Sequence, residues 1–180
     1  EAAFGTRSWS IWPKRVTTSG TASTAARFVP TKTLPAEPGA RKKNGIGRSR
    51  GGRTTKIHAR VDALGLLVAL QLTPGQAHDS VKALDLIDAA RADALIMDKA
   101  YDTNSIRERL TARDEQAVIP SRSNRNPQLP HDSHLYKERH RVENFFQRIK
   151  RYRKLATRYA KNLEMFRGAI CLVAIVDWLA

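Results

Sequence analysis

Two acidic residues stand out by position. Asp98 closes the apolar run Ala94-Leu95-Ile96-Met97 within IMDKAYD. A short apolar run of this kind reads as a buried parallel strand, and open α/β sheets place their sites at the carboxyl ends of such strands. A loop aspartate or a helix cap would look the same, and Asp102 fits that plainer role better. Glu143 falls in a helical pattern whose other positions Arg139, Gln147 and Lys150 share its face at i−4, i+4 and i+7. It is a carboxylate among bases, and an i,i+4 ion pair with Arg139 explains it equally well. If the two acids converge, the chemistry they suit is phosphoryl transfer. Mg²⁺ takes a few carboxylate ligands and keeps several waters. A pair of such ions about 4 Å apart activates an attacking oxygen and stabilises a leaving one. Nearby Arg and Lys side chains then hold the phosphates. Convergence itself is not legible in a sequence.

Other chemistries are poorly supported. His58, His78, His131, His134 and His140 lack metal-ligand spacing, and the single Cys171 excludes a disulfide framework and a multi-cysteine zinc site. No GK[ST] phosphate loop is present. The chain has 180 residues, 41% of them hydrophobic, enough for one sizeable core. No apolar run approaches the length of a membrane helix and the N-terminus has no signal-peptide core, so the expectation is a soluble, cytoplasmic protein without a membrane partner. The net charge of +15 points to a polyanion. That charge is concentrated: residues 41–60 carry +8, residues 134–161 carry another +8, and residues 61–133 carry −3.

The elements that must position these residues follow from periodicity. TTKIHARV, Thr54 to Val61, reads as a strand with Ile57, Ala59 and Val61 on one face. Asp62 to Gly65 makes a turn and Leu66 to Leu72 a second strand, together a hairpin. Asp79 or Ser80 is expected to cap a helix running to Ala90, with Val81, Leu84 and Ile87 inward. Strand Ala94–Met97, a helix from Asp102 or Thr103 to Arg113, and strand Ala117–Ile119 come next. A long helix is expected from about Ser133 to Tyr159, with Val142, Phe145, Phe146, Ile149, Tyr152 and Leu155 as its core stripe. An apolar helix from about Asn162 to Leu179 ends the chain. This order implies an α/β fold with a mixed sheet. Residues 1–40 stand apart, rich in Ser and Thr and without periodicity, and read as an atypical segment that is poorly ordered or not selected to fold.

Tyr136-x2-Arg139-x3-Glu143-x6-Lys150 resembles the signature of insertion-sequence DDE transposases. IGRSRGGRTTKIHARVDALG, LTPGQAHD, DKAYD and RHRVENFFQRIKRYRKLATRY are similar to the insertion-sequence-five family of those enzymes. The resemblance covers residues 41–180 and implies a ribonuclease-H-like mixed sheet with flanking helices. It implies DNA transposition by a nuclease and strand-transferase whose Asp, Asp and Glu bind Mg²⁺ or Mn²⁺. On this resemblance Asp98 is the second carboxylate and Glu143 the third. Tyr136, Arg139 and Lys150 would contact DNA, with Arg48, Arg50 and Arg53 in a basic loop beside it. The implied partners are double-stranded DNA, as terminal inverted repeats and target, and a second copy of the chain on that DNA. The implied location is the bacterial nucleoid.

One departure matters. The family's first aspartate lies on the first strand, and residues 1–61 contain no aspartate. Glu37 sits between prolines and Asp62 belongs to the hairpin turn. We therefore expect the first strand to be missing or scrambled, residues 1–40 to be translated out of frame, and the chain to bind DNA without cleaving it. A non-catalytic DNA-binding fragment that inhibits a full-length transposase is the alternative. A ribosome-associated basic protein is a third reading, and it would need neither the Tyr-Arg-Glu-Lys spacing nor DKAYD.

Overall fold

The computed structural model describes residues 21–28, 44–49 and 52–179. Among these residues six strands form one mixed sheet: β1 (Thr21–Phe28), β2 (Gly47–Ser49), β3 (Gly52–Val61), β4 (Leu67–Pro74), β5 (Ala94–Met97) and β6 (Gln116–Val118). β3 is flanked by β4 and β1, both antiparallel to it, and β2 pairs with its first residues. β1 continues into parallel β5, and β5 into parallel β6. Three antiparallel strands followed by two parallel ones, with β1 in the middle, is a ribonuclease-H-like order, the fold class that the resemblance implied.

β1 fills the place where the first strand was expected to be missing or scrambled. Its backbone pairs with β3 from Ala22↔Val61 to Phe28↔Thr55 and with β5 from Thr21↔Leu95 to Ser23↔Met97. Two flanking strands offer unpaired N–H and C=O groups, and that demand imposes a strand on a sequence with no apolar alternation. The stretch nonetheless holds no acidic residue.

β5 shows why a buried parallel strand reads as a continuous apolar run. Ala94 and Ile96 enter one core, with Ile57, Ala59, Val61, Val142, Phe145 and Ile149. Leu95 and Met97 enter the other, with Ala83, Ile87, Ile106 and Leu110. Covering both faces removes the polar half of the alternation. Each large side chain so buried contributes about 1.5–3 kcal/mol.

β3 is also covered twice. Its apolar face was legible; its basic face, Lys56, His58 and Arg60, is buried as well. Lys56 Nζ donates to the Ala77 carbonyl and lies 2.6 Å from Asp79 Oδ1. Arg60 Nη1 donates to the carbonyls of Leu86, Ile87 and Ala90 at 2.9–3.0 Å. Leu86 and Ile87 lie in the last turn of helix α1 (Ala83–Asp88) and Ala90 just beyond its end, so Arg60 caps that helix. The +8 of residues 41–60 therefore does not all face a partner. Two of its cations hold the fold together.

His58 sits in the same layer, 2.7 Å from Thr73 Oγ1. Burial, helped by the charge of Lys56, lowers its pKa from 6.5 to about 4. Because the folded form binds its proton more weakly than the unfolded chain, its stabilising contribution is complete above about pH 6.5. It is lost as pH falls through about 4. The loss should reach about 3 kcal/mol. His58→Gln should flatten the fall in unfolding free energy between pH 7 and 4.5, measured by urea titration; an unchanged pH slope would show that another group titrates.

Several element boundaries differ from the sequence reading. Residues Asp79–Lys82 form a tight turn capped by His78, and Ala83, Leu86 and Ile87 face inward while Val81 and Leu84 are exposed. Three residues per turn rather than 3.6 rotates the inward face. α2 (Asn104–Thr111) is capped by the Thr103 side chain. The expected long helix is broken. α3 (Ser133–Tyr136), a turn at Lys137–Arg139 and α4 (His140–Lys150) run on in helical backbone, then Tyr152 turns extended (φ −81°, ψ 97°) before α5 (Arg153–Ala156). Tyr152 is consequently exposed, whereas Leu155 is buried. α6 (Leu163–Leu179) closes the chain as expected. Among the described residues no helix is long and apolar enough to cross a membrane.

Candidate active site

Asp98 follows β5 directly, in extended backbone, and its carbonyl accepts from the Tyr101 N–H at 2.8 Å. That bond starts the turn Lys99–Tyr101 and leaves the carboxylate at the open end of the sheet, one-third exposed. Val142, Phe145, Phe146 and Ile149 pack α4 against the sheet, which brings Glu143 and the preceding Arg139 to that end.

Arg139 joins the two acids. Its Nη1 lies 3.3 Å from Asp98 Oδ1 and 3.4 Å from Oδ2, and its Nη2 lies 2.6 Å from Glu143 Oε1. The i,i+4 pair anticipated for Glu143 is real, but the guanidinium also reaches across the fold to Asp98. The Tyr136 hydroxyl donates to Asp98 Oδ1 at 3.2 Å. Burial and the charge of Asp98 raise its pKa, so this hydroxyl stays protonated and donating. The Arg139 guanidinium lies 6.0 Å from the Tyr136 ring centroid. Asp98, Tyr136, Arg139 and Glu143 thus form one cluster. Two carboxylates from separate elements, within reach of one planar cation, make a donor set suited to a hard divalent ion that keeps several waters. Among the described residues no group of three acidic, histidine or cysteine side chains is placed to hold a metal. Asp98 and Glu143 are the two acids of this cluster among the described residues.

The turn after Asp98 is clamped from below through Asp102, which the sequence marks only as a loop aspartate or helix cap. Asp102, with no exposed side-chain surface, accepts from Arg107 Nε and Arg125 Nε at 2.7 Å and from the Arg122 N–H at 2.9 Å. Arg122 in turn donates to the carbonyls of Lys99 and Ala100. Asp102 was weighed as a cap for α2; Thr103 takes that role, and Asp102 organises residues 121–125 instead. No local spacing signals it, because its partners lie as far as 23 residues away.

A family model described as the transposase DDE domain matches residues 18–178. The chain belongs to the DDE transposases. A curated relative in Brucella ovis, named as a transposase for insertion sequence element IS6501, is 40% identical over 131 residues, 70% of this chain and 98% of its own length. Among solved structures, a chain of a pre-cleavage Mos1 transpososome aligns with TM-score 0.48 and 13% identity over 90% of this chain and 48% of its own. A Mos1 mariner paired-end complex with Mn aligns with TM-score 0.39 and 12% identity over 89% of this chain and 54% of its own. This transposase domain spans about half the length of those Mos1 chains.

The remaining candidate residues of the transposase domain are more dispersed. Lys150 is exposed two turns beyond Glu143 on the same helix. Arg48 and Arg53 face each other across the β2–β3 hairpin, both exposed and lining one open hollow. Arg50 and residues 41–43 lie outside the described residues. Asn44, near the base of this hairpin, is held by Arg158, whose Nη2 donates to the Asn44 carbonyl at 2.7 Å and whose guanidinium also reaches Thr55 Oγ1. Burial lowers the Arg158 pKa to about 10. Arg158 thus leaves the list of cations in residues 134–161 that face solvent, as does Arg148, bound to Asp177 and the Gly65 carbonyl. Lys137, Lys150, Arg151, Arg153, Lys154 and Lys161 form the exposed basic surface of that segment.

Proposed function

We propose that this transposase domain binds double-stranded DNA, both transposon terminal repeats and target, across the open end of β5, with Asp98 and Glu143 as carboxylate ligands for Mg²⁺ or Mn²⁺. The observation that carries this reading is the meeting of two acids, on elements 45 positions apart, at one guanidinium. A bound ion would supply charge stabilisation and an activated oxygen for strand hydrolysis and strand transfer. The chain's own part is to position DNA. Arg139 and Lys150 present charge to phosphates from the helix, and Tyr136 orients Asp98. Arg48 and Arg53 supply a second contact. Like charges directly opposed across a hairpin repel unless an anion lies between them, which suits a phosphate backbone.

Fluorescence anisotropy with a terminal-repeat duplex tests the interface. Affinity should fall steeply with salt, and Arg48→Ala or Arg53→Ala should each lower the slope of log K against log salt by about 1. A slope indifferent to both would remove the hairpin from the interface.

We further propose that copies associate on DNA through α6. Met165, Leu172, Ile175, Val176 and Leu179 are each more than half exposed and recur at helical spacing. Leu172→Asp should convert a self-associating chain to a monomer by analytical ultracentrifugation with DNA present; unchanged mass would refute it.

The absence of acid in β1 favours a second reading, a non-catalytic fragment that inhibits a full-length transposase by occupying its ends. The nucleotide sequence over residues 1–40, translated in its other two frames, tests whether this segment is out of frame: an aspartate-bearing first-strand motif is expected in one of them.

A further inference from the structure

Arg139 contacts both of the acids assigned above to a metal ion. Its two terminal nitrogens reach Asp98 and Glu143, the oxygens assigned above to the ion. A guanidinium does not deprotonate in a protein, so it cannot clear the site by losing charge. It can leave only by moving. The neighbouring acid Glu138 offers it no alternative, since Arg141 Nε already lies 2.5 Å from Glu138 Oε2. A planar fork of donors on a partly exposed side chain is, however, well matched to a phosphate. Tyr136 does not compete in the same way: it carries no charge and touches one oxygen of Asp98.

We propose that Arg139 is a built-in stand-in cation. It holds Asp98 and Glu143 together without metal and must be displaced, toward a DNA phosphate, before the acids can take a divalent ion. This rests on the reading of Asp98 and Glu143 as metal ligands. Arg139 is then a positioning residue whose removal should help the metal bind while harming DNA binding. A residue that merely buttressed the ligands would do the opposite for the metal.

The experiment counts free Mn²⁺ by electron paramagnetic resonance in titrations of the full chain without DNA. Arg139→Gln should tighten Mn²⁺ binding about tenfold. Lys137→Gln removes the same charge two residues away, from an exposed side chain, and should change it less than about threefold by the same reckoning. Thermal melting checks that each variant is folded, with Arg139→Met as the replacement should Arg139→Gln fail to fold. If Arg139 removal weakens Mn²⁺ binding, or tightens it no more than Lys137→Gln does, the stand-in role is wrong. Asp98→Asn separates the two ideas: if it leaves Mn²⁺ affinity intact, the assignment of the metal ligands is wrong instead.

Discussion

The chain should give no detectable metal-dependent nicking of a terminal-repeat duplex, and one aspartate introduced into β1 should raise nicking by at least about a hundredfold. Two carboxylates can hold one ion, but opposed stabilisation of the attacking and leaving oxygens needs a second. β1 lies beside β5 and contributes no acid to it. The register identifies where one would act. Ala22 pairs with Ile96 and Ser23 with Met97, and extending that register by one residue sets Thr24 opposite Asp98. Alternate residues of a strand share a face, which makes Ala22 and Thr24 the two positions to test. Ala22→Asp or Thr24→Asp should create Mg²⁺-dependent nicking that a second change, Asp98→Ala, removes. Mn²⁺ stoichiometry should rise in the same variant from about one ion to about two. Nicking by the unmodified chain, abolished by Asp98→Ala and by Glu143→Ala, would show that two acids suffice. Failure of both β1 variants, with Mn²⁺ still bound, would show that the missing acid is not what limits the chemistry.

What could be read from the sequence was local. The core stripe of α4 follows from its spacing, and the parallel strand before Asp98 follows from four consecutive apolar residues. The hairpin turn is legible too: Gly65 takes φ 82°, and the Asp62 carboxylate accepts from the N–H groups of Leu64 and Leu66. What escaped depends on distant partners. Lys56, His58 and Arg60 look like the solvent face of a half-buried strand until α1 and the segment before it are laid over them. The break at Tyr152 carries no Pro or Gly; it is set by where Leu155 and Arg158 must pack. β1 is the extreme case, since its strand is specified by its neighbours' edges rather than by its own residues. The site divides along the same line. Tyr136, Arg139, Glu143 and Lys150 share one helical segment, so their pattern is visible in one dimension. That Arg139 also reaches Asp98 is a property of the fold.

Asp102→Ala should destabilise the domain by about 3 kcal/mol, lowering its melting temperature by about 6–12 °C. The carboxylate is wholly enclosed, yet Arg107 and Arg125 reach it at 2.7 Å and the Arg122 N–H at 2.9 Å. Burial by itself raises the Asp102 pKa. The hydrogen bond from Arg122 and the two guanidiniums outweigh that and hold it below its ordinary 3.8. A carboxyl more acidic in the folded state stabilises it at every pH above the unfolded value, and that contribution disappears as pH falls through the folded one. The gap between wild type and Asp102→Ala should therefore be constant from pH 8 to 5 and narrow below about pH 4. Asp102→Asn distinguishes charge from shape, because an amide fills the space but presents donors to two arginines. It should cost nearly as much as the alanine. The consequence extends to the site, since Arg122 holds the carbonyls of Lys99 and Ala100 in the turn directly after Asp98. At a temperature where the Asp102→Ala chain is still folded, its Mn²⁺ affinity should fall severalfold even though Asp102 does not touch the Asp98–Arg139–Glu143 cluster. Unchanged affinity would mean that β5 alone fixes Asp98 and that the clamp serves stability only.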